Sequence, residues 1–169
     1  ISILPPNEFT DDSPEFAAFT VIENLNANDY VLIGAEYGAA GARELDTATR
    51  SIMEHIIING GIPVIISSDA VGLLRTENIA VELLGEDVRN VGYYVAGLIP
   101  GGNVGLRDFS VNLQAFVSTD LRGNPIDLDI DSLDDFAAIV LISESGESVR
   151  NWMEQIAPVT NSDIIVVTG

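Results

Sequence analysis

The chain has 169 residues, of which 26 are acidic and seven are basic, and every basic residue is an arginine. A hydrophobic fraction of 47% predicts one globular domain with a substantial core and argues against a disordered chain. The formal net charge of −19 repels phosphate backbones and anionic lipid surfaces, which argues against nucleic acid as a partner.

Residue types that are absent or rare narrow the chemistry further. Without cysteine the chain has no thiol nucleophile, disulfide or thiolate metal site. Without lysine it has no Schiff base, and a Walker-type phosphate loop would lack its cation. The one histidine, His55, lies inside a predicted helix, and the segment SESG at 143–146 does not match GxSxG. Neither a multi-histidine metal site nor a serine–histidine–aspartate triad is therefore predicted.

Residues 1–12 hold two prolines and three acids and are predicted to form an irregular lead-in. A single domain is predicted for residues 13–169, opening with Ser13 as an N-cap and Pro14 at the first helical position. Apolar residues at helical spacing predict helices at 14–25, 44–59, 70–84, 105–117 and 147–156. Short apolar runs predict strands at 30–35, 62–67, 91–98, 137–143 and 163–168. A polar connection at 118–131 and one turn at 134–136 precede the fourth strand.

Apolar strands that alternate with helices are typical of a parallel sheet covered on both faces. We therefore predict a three-layer α/β/α sandwich with a five-stranded, mainly parallel sheet. The right-handed crossover rule leaves two common strand orders, the flavodoxin-like 2-1-3-4-5 and the Rossmann-like 3-2-1-4-5. We favour the Rossmann-like family in the broad sense, and the strand order stays open between the two. The chain begins at Ile1 and ends directly after a predicted strand, so we expect a domain cut from a longer protein; proteolytic maturation would leave the same start.

The carboxyl ends of parallel strands meet at one edge of the sheet, where open α/β folds bind their ligands. The residues that follow the predicted strands there are polar, acidic or glycine. Some of them have a simpler interpretation, because Ser68, Asp69 and Ser145 also suit helix N-caps. The candidate ligand-binding residues are Glu36, Tyr37, Ser68, Asp69, Gly101, Gly102, Asn103, Arg107, Ser143, Glu144 and Ser145.

The ligand itself is not named by these residues. Gly34, Gly38 and Gly41 do not fit the GxGxxG pattern of dinucleotide-binding loops. The turn at 100–102 could present amides to an anion beside Arg107, or it is simply a sharp corner between strand and helix. Three carboxylates, those of Glu36, Asp69 and Glu144, could converge on Mg²⁺, although no cofactor is implied. The alternating acids Asp127, Asp129 and Asp131 lack the glycine and distal glutamate of a calcium loop and are interpreted as a solvated loop.

Three segments together resemble a set of uncharacterised bacterial α/β domains held between transmembrane helices. They are VLIGAEYGAAGARELD at 31–46, GYYVAGLIPGGNVGLR at 92–107 and the late WMEQ at 152–155. The resemblance implies a soluble domain of a membrane protein on the extracytoplasmic face of a bacterial membrane, attached through segments outside this sequence. The activity of those domains is unknown, so the resemblance does not point to a reaction.

Our leading expectation is a ligand-binding or protein-interaction domain of a larger, membrane-attached protein. The rival expectation is a hydrolase or transferase that uses the carboxylates at the strand ends, with or without Mg²⁺. Self-association through exposed helices is a third alternative, which a large apolar patch would indicate.

Overall fold

The structure is a computed structural model that describes residues 14–85, 94–119, 123–125 and 127–169. The predicted lead-in and the first three residues of the predicted third strand lie outside the described residues. The strands are β1 (Tyr30–Glu36), β2 (Ile62–Ser67), β3 (Tyr94–Leu98), β4 (Ala138–Ser143) and β5 (Asp163–Thr168). The α-helices are α1 (Pro14–Glu23), α2 (Ala42–Ile58), α3 (Ala70–Leu84), α4 (Gly102–Val111), α5 (Leu113–Phe116) and α6 (Gly146–Gln155). Single 3-10 turns lie at Leu133–Asp135 and Ala157–Val159.

The strands form one parallel sheet in the order β3-β2-β1-β4-β5. This confirms the predicted three-layer α/β fold. The strand order, which the sequence left open between two alternatives, is the Rossmann-like one. β1 is the central strand, because Gly34 pairs with Ile66 of β2 on one side and with Leu141 of β4 on the other. The register brings Glu36 opposite Ser143, so the ends of β1 and β4 lie side by side.

Each face of the sheet is covered by its own hydrophobic cluster. Val31 and Ile33 of β1 belong to the cluster under α2 and α3, which includes Met53. Leu32 points to the opposite face and joins the cluster that contains Phe109 of α4 and Trp152 of α6. Because alternate residues of β1 are buried on opposite faces, the strand is a continuous apolar run rather than an alternating one.

Gly34 allows α6 to lie directly on β1. A Cβ atom at this position would lie 3.1 Å from Cε2 of Trp152 and closer still to Cζ2 and Cη2 of the same ring. The indole is fully buried. A side chain at position 34 would therefore collide with the ring that packs across the end of the central strand.

The predicted helix at 105–117 differs from the structure at both ends. It begins earlier, with α4 at Gly102, because Gly101 adopts a left-handed φ of 96° that glycine tolerates and turns the chain into the helix. It is also interrupted at Asn112, whose backbone is not helical and whose side-chain amide donates to Asp108 at 2.6 Å. The Asn112 carbonyl accepts from the Ala115 amide at 2.9 Å, so Asn112 ends α4 and begins α5. The predicted bounds of β2, α3 and β5 are confirmed.

Candidate functional site

The candidate site lies at the carboxyl ends of β1, β2 and β4, around the carboxyl group of Glu36. Ser67, at the end of β2, is fully buried and donates its hydroxyl to the Ala35 carbonyl at 2.5 Å. This bond ties the ends of β1 and β2 together directly before Ser68. Ser68 itself is exposed, at the point where β2 passes into α3.

Glu36 is 4% exposed although it ends a strand at the sheet edge. The backbone amide of Ser68 donates to Oε1 at 3.1 Å and to Oε2 at 3.3 Å, and the Ser68 hydroxyl donates to Oε2. From the opposite side, the indole N–H of Trp152 donates to Oε1 at 3.4 Å. Donors on two different elements thus hold the carboxyl group in one orientation.

This environment changes the acidity of Glu36. Burial raises the pKa of its carboxyl group above the ordinary value, and the nearby charge of Asp69 raises it further. The hydrogen bonds from Ser68 and Trp152 oppose this effect, since they favour the charged form. A carboxyl group whose pKa is raised by burial is a better proton acceptor than an exposed one, which is a common property of functional sites.

Glu144 follows β4, and its side chain reaches the loop that links β1 to α2. Its Oε1 accepts from the backbone amide of Gly38 at 2.9 Å. A Cβ atom on Gly41 would lie 2.9 Å from Cβ of Glu144, so the glycine makes room for this side chain. Gly41 caps α2 without a side-chain hydrogen bond. In Rossmann-type folds an anion commonly lies at the start of this helix. Here the protein's own carboxylate lies there, which disfavours a phosphate at the same place.

The N-cap interpretation is confirmed for two of the candidate residues. Asp69 caps α3 by accepting from the amides of Val71 at 2.7 Å and Gly72 at 3.3 Å. Ser145 caps α6 by accepting from the amide of Ser148 at 3.1 Å. Both side chains therefore have a structural role at the edge of the sheet.

Ser143, the last residue of β4, is fully buried and donates its hydroxyl to the Ser145 carbonyl at 2.9 Å. It stabilises the turn from β4 into α6. His55 lies on α2, where it pairs with Glu23 of α1 at 2.7 Å. The interpretation of His55 as a partly exposed helical histidine is confirmed.

Tyr37 points away from Glu36, and this placement corrects the expectation that its side chain faces the crevice. The side chain is 1% exposed and lies in the cluster under α2 and α3. Its hydroxyl contacts Thr49 at 3.1 Å, Thr76 at 3.5 Å and Asp46 at 3.2 Å. Burial raises the pKa of the Tyr37 hydroxyl. Tyr37 therefore connects β1 to the two helices that cover this face.

A cavity of about 310 Å³ lies between α2 and α3 on the outer side of Asp46. Two ion pairs cross it, Asp46 with Arg75 and Arg50 with Glu82. Its positive and negative charges pair with each other, so we interpret it as a polar contact between the helices.

The remaining candidates lie at the start of α4. Gly101 and Gly102 both have positive φ values, of 96° and 54°. The Asn103 amide donates to Glu154 of α6 at 3.1 Å, and Arg107 is exposed on α4. This group follows the edge strand β3, two places from β1 in the sheet. The Asn103–Glu154 hydrogen bond connects α4 to α6, and these residues lie at the outer end of the sheet edge that carries Glu36.

The expectation that Glu36, Asp69 and Glu144 converge on Mg²⁺ is not met by their contacts. Among the residues that the structure describes, no group of three His, Cys, Asp or Glu side chains could hold a metal ion. The physical reason is that each carboxylate is already engaged, by Ser68 and Trp152, by helix amides, and by Gly38 respectively.

Sequence reasoning missed the part that Trp152 has in this site. Trp152 lies within the predicted helix at 147–156, but its contact with Glu36 joins residues 116 positions apart. The signal that could have pointed to it is Gly34, a small residue two positions before Glu36 and therefore on the same face of β1.

A scan against protein-family models found no match, and a search of curated proteins found no similar sequence. Within the described residues, no helix has both the length and the apolar character required to cross a bilayer.

Proposed function

We propose that the domain binds a small ligand in the crevice at the carboxyl edge of its sheet, as part of a larger, membrane-attached protein. The observation that carries this proposal is the buried carboxyl group of Glu36, at the end of the central strand. Burying a carboxyl group costs free energy, and an apolar residue at this position would avoid that cost. Glu36 is thus unfavourable for stability, and it lies at the edge where this fold usually binds ligands. Together these two facts support a role for Glu36 in binding.

The charges around the crevice support a neutral or cationic ligand. Glu36, Asp69 and Glu144 bring three carboxyl groups to this edge, and the whole chain carries a formal charge of −19. Such a field attracts ammonium groups and repels phosphates. We therefore favour small amines over nucleotides.

The test is a thermal-shift screen of neutral and amine-bearing metabolites, read in parallel by intrinsic fluorescence. Trp152 is the only tryptophan of the chain, and its indole contacts Glu36, so its emission reports on the site. A ligand at about one hundred times its dissociation constant stabilises the folded protein by about 2.7 kcal/mol. For a domain of this size that raises the melting temperature by roughly 5–10 °C.

The informative variant is Glu36→Gln, which keeps the size of the side chain and removes its charge. Its matched control is Glu54→Gln, because Glu54 is exposed on α2, about 18 Å along the helix from its first residue. We expect Glu36→Gln to reduce the ligand-induced shift and Glu54→Gln to leave it unchanged. The proposal is refuted if no compound shifts the wild-type melt, or if every shift survives in Glu36→Gln.

A second candidate function, a hydrolase or transferase, is favoured by one specific contact. This is the hydrogen bond from the exposed Ser68 hydroxyl to the buried Glu36 carboxylate.

A further inference from the structure

Ser68 differs from the other serines at this edge of the sheet. The hydroxyl groups of Ser67 and Ser143 are fully buried and donate to backbone carbonyls. The hydroxyl of Ser145 caps a helix. Ser68 alone of these four is exposed, and its hydroxyl donates to a carboxylate. A hydroxyl that is open to solvent and bonded to a buried carboxylate has the arrangement of a nucleophile with its base.

We propose that Ser68 is a nucleophile, that Glu36 is its general base, and that the crevice transfers the acyl group of a small neutral or cationic ester. The inference rests on the proposed function, because the ester must first bind in this crevice.

The base is held by a third group, as nucleophilic sites require. The indole N–H of Trp152 donates to Oε1 of Glu36, which leaves Oε2 as the oxygen that accepts from the Ser68 hydroxyl. The indole is itself fixed, because it is fully buried and lies against Gly34 without an intervening side chain. Trp152 is therefore a positioning residue for Glu36.

The helix that follows Ser68 fixes the turn that carries it. α3 begins at Ala70, two residues after Ser68, and it is 15 residues long. Its first amides donate to the Asp69 carboxylate, so the turn is capped by the residue next to Ser68. Gly72 brings this helix close to β1, because a Cβ atom at position 72 would lie 2.5 Å from the Tyr37 carbonyl oxygen.

The proposed reaction has two balanced steps. In the first, Oγ of Ser68 attacks the ester carbonyl carbon, its proton passes to Oε2 of Glu36, and the carbonyl π electrons move to the oxygen. When that intermediate collapses, the bond to the alcohol breaks and the alcohol leaves with the proton from Glu36. In the second, water attacks the acyl-serine, Glu36 accepts a proton from the water, and that proton returns to Ser68 as the acid is released.

Burial of Glu36 and, to a smaller extent, the nearby charge of Asp69 set the pH dependence of the proposed reaction. Asp69, at the start of α3, and Glu144, after β4, are acidic, and the contact from α6 is the neutral indole of Trp152. Glu36 must be ionised to accept the proton. The rate is therefore expected to rise with pH as Glu36 loses its proton and then to level off.

The test uses an aryl sulfonyl fluoride that carries a primary ammonium group, with intact-mass and peptide mass spectrometry as the readout. The Ser68 oxygen would form a bond to sulfur as the sulfur–fluorine bond breaks, with fluoride leaving and the proton passing to Glu36. We expect one adduct per chain, located on Ser68. A neutral sulfonyl fluoride of similar size should react more slowly, because the acidic edge attracts cations.

The variants separate a nucleophile from an ordinary surface hydroxyl. Ser68→Ala should abolish the adduct, and Glu36→Gln should slow its formation by about 100-fold or more, the usual effect of losing a general base. Ser118→Ala is the matched control, since Ser118 is also exposed and donates to the Ala115 carbonyl at 3.4 Å. It should react like the wild type. Because Ser68 is exposed, Ser68→Ala is expected to fold, and its melting temperature verifies this.

Two outcomes overturn the inference. One is a wild-type protein without an adduct on Ser68, and the other is an adduct that forms at the same rate in Glu36→Gln. Binding of an amine from the screen to the wild-type protein, read by the thermal shift, distinguishes this failure from failure of the proposed function. If the ligand binds but Ser68 does not react, only the nucleophile is refuted. If no ligand binds to the wild type, the binding proposal is refuted, and the adduct still decides the role of Ser68.

Discussion

Replacing Gly34 with alanine should be among the most destabilising single-methyl additions in this protein. The new methyl group would lie 3.1 Å from Cε2 of Trp152 and closer to two further ring carbons. Favourable contacts between carbon atoms lie at about 3.5–4.0 Å, so the indole must move by roughly 1 Å. The ring is fully buried in the cluster on this face of the sheet.

The expected cost follows from two effects. Overpacking of a close-packed core costs about 1–3 kcal/mol. Displacing the indole also breaks its hydrogen bond to Glu36, which adds about 1 kcal/mol. We expect Gly34→Ala to lower the free energy of unfolding by about 3 kcal/mol, or the melting temperature by roughly 6–12 °C.

Urea denaturation followed by far-ultraviolet circular dichroism measures this loss without relying on tryptophan emission. Gly146→Ala is the matched control, since a Cβ atom at Gly146 would meet nothing within 4 Å. That variant should be neutral or stabilised by about 0.5 kcal/mol, because alanine restricts the unfolded chain. A loss below about 0.5 kcal/mol in Gly34→Ala would refute the packing argument.

A double-mutant cycle identifies the partner in this contact. Trp152→Phe removes part of the ring that the new methyl group would strike. The loss in the double variant should therefore be smaller than the sum of the two single losses by at least about 1 kcal/mol. Additive losses would mean that the methyl group on residue 34 acts through some other neighbour.

Three further predictions concern charged groups. Burial raises the pKa of Glu36, so its contribution to stability is full at low pH and is lost as pH rises through that raised pKa. Glu36→Gln should therefore gain stability relative to wild type as pH rises above about 4, whereas Glu54→Gln should not, and parallel stability curves would contradict this. Asp69→Ala should lower the free energy of unfolding by about 1 kcal/mol through loss of the α3 N-cap, and Asp69→Asn should retain most of it, as urea titrations would measure. Asp46→Ala should lower the melting temperature, because Tyr37 and Arg75 both lose their contact with the Asp46 carboxylate. The difference in melting temperature from wild type should shrink in about 1 M salt. A difference that does not depend on salt would contradict the contribution of the ion pair.

The fold could be predicted largely because its signals are local. The apolar runs of β2 and β5 and the spacing within α3 were sufficient for their bounds. The interruption at Asn112 was not predicted, because the apolar period of the predicted helix continues through it. The strand order was narrowed to two alternatives by the crossover rule, and the structure has the Rossmann-like one.

The sequence by itself determined that the domain is α/β, that the carboxyl ends of its strands bear serines and acids, and that cysteine, lysine and multi-histidine chemistry are excluded. Tertiary structure alone decided which of those side chains meet. It directs Tyr37 into the helix contact and brings Trp152 onto Glu36 across 116 positions. The physical reason is sequence separation. Periodicity and helix capping depend on residues a few positions apart, whereas the burial of Glu36 depends on contact with α6, near the other end of the chain.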